Sequence, residues 1–219
     1  MIQTRMTIAD VARLLKSETP ANAARRCGEL LVEFPNDPEL RQLAATIAMQ
    51  SNNYQDALYH TGVSLKVRPD HPATMMIAAK AARARGKYSL SLQLLQRLIE
   101  VAPNHAGSWF ALGLVQEDVG NLTEAILAYQ TALRFEPGMV EAAVNLGICL
   151  QQSGDLNGAK VAYGSAISTQ PDTFGRISQA LVVASKGELW LDLRALRSAL
   201  VSQASSGSAK FTPIDSALR

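Results

Sequence analysis

His71 and His105 are the residues whose type and spacing first invite a chemical reading, because imidazoles bind metals and exchange protons near neutral pH. They are separated by an interval that recurs along the chain. A metal centre needs several donors converging on one point, and no Cys, Asp or Glu completes a ligand set around this pair. Loop chemistry shared by equivalent positions explains them better. Cys27 and Cys149 are the only thiols and show neither disulfide nor zinc spacing. Both fall in segments of helical apolar spacing, so they are expected to be packed and inert rather than nucleophilic. Lys80, Arg83, Arg85 and Lys87 form a basic cluster. It could meet a phosphate or an acidic partner, or it could be a solvated helix end where cations suit the dipole. The second reading is the simpler one, since no aromatic platform is interleaved with the cluster. There is no phosphate-cradling glycine loop, no nucleophile elbow and no placed pair of carboxylates. The chain is not expected to be an enzyme, and no cofactor is implied.

Something must position these residues, and the prolines show what it is. Pro35, Pro69, Pro103, Pro137 and Pro171 are five of nine prolines, and they follow one another at a constant step of 34. On the same ruler, Trp109, Leu112-Gly113, Gly120, Ala125, Tyr129 and Ala132 line up with Ala143, Leu146-Gly147, Gly154, Ala159, Tyr163 and Ala166. One period earlier stand Met75, Ala78-Ala79, Gly86, Ser91, Leu95 and Leu98. Leu112, Val115 and Val119, then Leu122, Ile126 and Tyr129, recur at helical spacing. Gly120-Asn121 and Gly154-Asp155 sit between two such runs, where a positive φ ends one helix and a polar residue caps the next. The proline stops the second helix because it has no amide hydrogen to donate. Gly113 and Gly147 cost about 1 kcal/mol each within a helix, so their equivalent placement suggests a close approach of two helices.

This pattern resembles the tetratricopeptide repeat (TPR), a 34-residue helix–turn–helix with the signature W-x2-L-G-x2-Y, A-x3-F, P. Trp109, Leu112, Gly113, Ala125, Tyr129 and Pro137 match it; Gln116 replaces the first Tyr. The resemblance implies an all-α fold, an α-solenoid of about six TPR-like repeats in a right-handed superhelix. Residues 1–36 are expected to form a degenerate first repeat, and 37–171 four full ones (37–70, 71–104, 105–138, 139–171). Residues 172–202 would be a degenerate cap and 203–219 a tail. Helix pairs are expected at 7–17/20–33, 38–50/54–67, 72–85/88–101, 105–118/122–135, 139–152/156–169 and 173–186/188–202. Thr19-Pro20 and Asp37-Pro38 read as N-caps followed by a proline. Trp109 is expected as an interior ring, whose loss would cost about 3–5 kcal/mol.

TPR arrays use a concave face lined by the first (A) helix of each pair. Carried over by position, that face would hold Met76, Lys80 and Arg83, then Phe110, Leu114 and Glu117, then Val144, Ile148 and Gln151. Gln42, Thr46 and Met49 would form the preceding row. The alternative is that some of these merely pack on the next helix. The TPR subtype that clamps a terminal carboxylate is not matched. Asn145 fits its middle position, but Phe110, Leu114, Gly175 and Gln179 replace the flanking Lys, Asn, Lys and Arg, and a carboxylate needs those donors. Asn145 could still bond a ligand amide.

The last helical run, Glu188–Val201, is too apolar for a terminal cap. Leu189, Leu193, Leu196 and Leu200 form one docking stripe; Trp190, Leu191 and Val201 lie off it. Beyond the Ser205–Ser208 linker, Thr212-Pro213 with Asp215 opens a short apolar segment containing Phe211, Ile214 and Leu218. These residues are expected to fold back over Trp190 or to link copies.

The composition excludes several classes. Net charge is +2, with 18 % charged and 47 % hydrophobic residues, too neutral for a dedicated nucleic-acid binder. No window approaches the roughly 20 apolar residues of a membrane span, and a cytoplasmic location is expected. The resulting expectation is an adaptor that binds a protein or peptide partner. A self-assembling module and, more remotely, an RNA-binding repeat are the alternatives.

Overall fold

The computed structural model describes residues 20–183 and 193–207. Among them are eleven α-helices and no strand: α1 Pro20–Glu33, α2 Pro38–Gln50, α3 Tyr54–Val67, α4 Pro72–Ala84, α5 Tyr88–Val101, α6 Ala106–Asp118, α7 Leu122–Phe135, α8 Val140–Ser153, α9 Leu156–Thr169, α10 Phe174–Val183 and α11 Leu193–Gly207. A 3-10 turn, Pro171–Thr173, leads into α10. The fold is all-α and of the solenoid class. Expected helix 7–17 and the Thr19 cap lie outside the described residues.

One local device is repeated at each hairpin. Asn52, Gly86, Gly120 and Gly154, which keep the same step as the prolines, adopt φ of 55°, 69°, 82° and 96°. The following amides (Asn53, Lys87, Asn121, Asp155) donate back to Ala48, Ala82, Gln116 and Leu150 carbonyls at 2.8–2.9 Å. These bonds satisfy carbonyls that a helix end otherwise leaves bare. Helix starts are capped as expected at Asp37, whose side chain accepts from the Glu39 and Leu40 amides at 3.0 and 2.8 Å with Pro38 in the first turn.

The helices fall into two compact units, Met1–Val115 and Gln116–Arg219. In the first, α1 to α5 each pack on their chain neighbours, and α2 also touches α4. Its core runs through Ala23, Cys27, Leu40 and Ile47, then Ala48, Ala57 and Ala81, then Met75, Leu95, Leu98 and Val115. In the second, Val140, Val144, Tyr163, Ile167, Ile177, Leu181, Leu196 and Leu200 form one cluster. A β-carbon on Gly147 would run into the Tyr163 ring, so this glycine does serve a close approach. The final helix continues through Gly207, past its expected end at 202. Ser and Ala tolerate a helical backbone well enough to extend it.

Candidate functional site

The residues expected on the A-helix faces divide between the two units. In the first, Met76 borders the Met75–Val115 cluster and is half-buried, Lys80 is exposed and Arg83 is half-buried. Their spacing of four and three places them on one face of α4. Phe110 and Leu114, four apart on α6, are both half-buried. They sit one residue off the core stripe made by Ala111 and Val115. In the preceding row, Gln42 Oε1 accepts from the Thr74 hydroxyl at 3.2 Å, and the Thr46 hydroxyl donates to the Gln42 carbonyl at 3.1 Å.

In the second unit several expected wall residues are spoken for. Glu117 Oε2 accepts from the Tyr129 hydroxyl at 2.7 Å. Glu117 also raises the Cys149 thiol, and Asn145 acts on the Tyr129 phenol in the lowering direction. Asn145 itself is half-buried on α8. Val144 and Gln151 require correction as wall residues, being only 2 % and 1 % exposed. Val144 belongs to the core cluster with Tyr163 and Leu181. Gln151 accepts from the Tyr163 hydroxyl at 2.9 Å and donates to the Ala180 carbonyl at 3.4 Å, so α10 occupies this side of α8. Ile148 stays half-buried at the edge of the same cluster.

The tyrosine contacts were not anticipated, though a signal was present. Tyr129 follows Glu117, and Tyr163 follows Gln151, at one and the same spacing in successive repeats. Burial first, then the Glu117 hydrogen bond and charge, push the Tyr129 phenol up; burial and the nearby Cys149 push up Tyr163.

The histidines behave as helix-start residues. His71 Nδ1 lies 3.0 Å from the Thr74 hydroxyl and His105 Nδ1 lies 2.8 Å from that of Ser108. Among the described residues no group of His, Cys, Asp and Glu could hold a metal. Both thiols are buried. Burial raises Cys27 to about 11 against the opposing charge of Arg41, and burial with Glu117 raises Cys149 to about 12. Neither supplies a thiolate at neutral pH.

Trp109 is half-buried rather than interior, which corrects the expectation of a core ring. Its indole N–H donates to the Pro103 carbonyl at 2.7 Å. The same move is made two repeats earlier, where Arg41 Nε donates to the Pro35 carbonyl at 2.6 Å. The loss on Trp109→Ala is accordingly expected to fall below that of a fully buried ring.

At the C-terminal end, Leu196 and Leu200 are buried and Val201 is 38 % exposed, as their helical phases imply. Leu189, Trp190, Leu191, Phe211, Ile214 and Leu218 lie outside the described residues. No described helix is long and apolar enough to cross a membrane.

Comparison with known proteins places this geometry. A family model described as tetratricopeptide repeat matches residues 78–140, and a second of the same description matches 118–182. A search of curated proteins finds no significant match. Among solved structures, MamA from Desulfovibrio magneticus RS-1 is similar at a TM-score of 0.69 and 23 % identity, over 74 % of this chain and 92 % of that one. TTC0263, a thermophilic TPR protein of Thermus thermophilus, gives 0.63 and 22 %, over 80 % and 97 %. YrrB, described as a TPR protein with an unusual peptide-binding site, gives 0.64 and 19 %, over 75 % and 85 %.

Proposed function

Because this chain is a tetratricopeptide-repeat protein, we propose that it is a non-catalytic adaptor that grips a partner polypeptide along its A-helix faces. The carrying observation is the pair Phe110 and Leu114, large apolar side chains left half-buried off the core stripe of α6. Apolar surface kept beside a complete core suits a partner's side chains better than water. Met76, which is unbranched and adaptable, extends the same kind of surface on α4. The description of YrrB as peptide-binding supports a peptide as the ligand class. In this reading residues 37–171 form the four working repeats, 1–36 and 172–202 are their ends, and the protein works in the cytoplasm.

The test is a pull-down with wild type and Phe110→Glu, both checked by circular dichroism. A partner held by wild type and lost by a folded Phe110→Glu supports the reading; an identical partner set overturns it. Self-assembly is a second reading, favoured by Val201, which is 38 % exposed beside the buried Leu200. Light scattering at two concentrations, with and without residues 203–219, separates it from the first.

A further inference from the structure

The near-neutral total conceals a strong local imbalance. Residues 71–104 hold Lys80, Arg83, Arg85, Lys87 and Arg97 against the single carboxylate Glu100, a net charge of +4. Residues 105–138 hold Glu117, Asp118, Glu124 and Glu136 against Arg134, a net charge of −3. Several cations of the first unit have carboxylate partners: Arg25 and Arg26 with Glu29, Arg68 with Glu39, and Arg97 with Asp70. Lys80, Arg85 and Lys87 are exposed and make no ion pair among the described residues.

A helix end that happens to be basic does not account for this cluster. The dipole of α4 favours Arg83 and Arg85 in and just after its last turn. Lys87, however, occupies the N-cap of α5 and makes no capping bond with its side chain. There a cation meets the positive end of the dipole and leaves first-turn amides uncapped. The equivalent residues of the other hairpins are Asn53, Asn121 and Asp155, the residue types that favour this position, and of these Asn53 and Asp155 accept a first-turn amide while Asn121 does not. Only the most basic of these four hairpins departs from that rule. A local rule broken without local gain is where function is expected.

We propose that Lys80, Arg85 and Lys87, with Arg83, form a recognition surface for an acidic stretch of a partner polypeptide. Met76, one turn before Lys80 on the same face, receives an apolar residue of that stretch. This rests on reading the A-helix face as a peptide wall and adds the partner's chemistry to it. A protein segment is favoured over nucleic acid. The charge is confined to one repeat, the chain as a whole is only +2, and no aromatic side chains are interleaved for base stacking.

The test is fluorescence anisotropy of a labelled peptide of glutamate and leucine against the full chain, with the glutamine–leucine counterpart as control. Wild type binds the acidic peptide in preference to the control, and added salt weakens it. Lys80→Gln/Arg85→Gln/Lys87→Asn loses affinity by roughly tenfold or more, from three exposed charge contacts. Lys87→Asn alone raises or preserves Tm, because asparagine has an acceptor that can cap as Asn53 does and lysine has none, and still weakens binding. Absence of acidic-peptide binding, or binding untouched by the triple variant, overturns the proposal. So does tighter binding of a single-stranded oligonucleotide through the same three residues. Equal binding of both peptides, abolished by Phe110→Glu but not by the triple variant, retains the peptide wall and discards the acidic partner. Indifference to Phe110→Glu with a strong charge effect does the reverse.

Discussion

Tyr129 donates its hydroxyl hydrogen to Glu117 Oε2 at 2.7 Å, from the second helix of a repeat to the first. One repeat later Tyr163 does the same to Gln151 at 2.9 Å. The pair therefore accepts either a carboxylate or an amide. Glu117→Gln is expected to cost less than about 1 kcal/mol, whereas Tyr129→Phe leaves a half-buried carboxylate without this donor, at about 1–3 kcal/mol. The double variant should show a coupling of at least about 0.5 kcal/mol in denaturant melts. Strict additivity would mean that the contact contributes nothing.

Alkaline stability follows from the same tyrosines. Tyr129 and Tyr163 are both raised, chiefly by burial, while an unfolded phenol ionises near pH 10. The folded chain then holds protons that the unfolded chain has released, so stability is intact below about pH 10 and falls as pH rises beyond it. Cys27 and Cys149, raised to about 11 and about 12, act in the same direction from lower pH. Replacing both tyrosines by Phe should flatten the loss of Tm above pH 10. An unchanged slope would mean that these phenols are not the cause.

His60 gives the opposite pH response. Its Nδ1 accepts from the Arg41 guanidinium at 2.9 Å. Burial, then the Arg41 charge, lower its pKa, with Asp56 opposing. The folded imidazole stays neutral while the unfolded one protonates near pH 6.5, so stability is present above that pH and declines as pH falls through it. His60→Gln keeps an acceptor for Arg41 and should reduce the acid dependence of Tm between about pH 7 and 5. Undiminished dependence would assign the effect to another group.

Two glycines should respond with opposite signs. At Gly147 a β-carbon meets the Tyr163 ring, whereas at Gly62, exposed in α3, it meets nothing within 4 Å. Gly147→Ala should destabilise by about 1–3 kcal/mol through overpacking. Gly62→Ala should stabilise by about 0.5–1 kcal/mol through helix propensity. Chemical denaturation of the two variants decides it. A shift of the same sign at both would count against the packing account of Gly147.

Local chemistry made most of the helical framework legible in advance. Prolines at a constant interval, glycine or asparagine at four equivalent turns and Asp37 before Pro38 each act on the backbone close to where they stand. The resulting helix ends in the first unit lie close to those expected. Gly147 could be suspected of a close approach because a helical glycine costs stability that packing must offset.

Accessibility was not legible in the same way. By position in the repeat, Val144 and Gln151 are equivalent to Phe110 and Glu117, yet Val144 lies in the core and Gln151 is held by Tyr163 and Ala180. Trp109 matched the repeat signature and still leans outward onto Pro103. Sequence alone determined which stretches are helical, where they stop and which side of each is apolar, since backbone sterics and hydrogen bonding act between near neighbours. Only the tertiary structure decided which of those apolar sides another helix covers, because burial belongs to a pair of surfaces, and the second comes from a distant part of the chain.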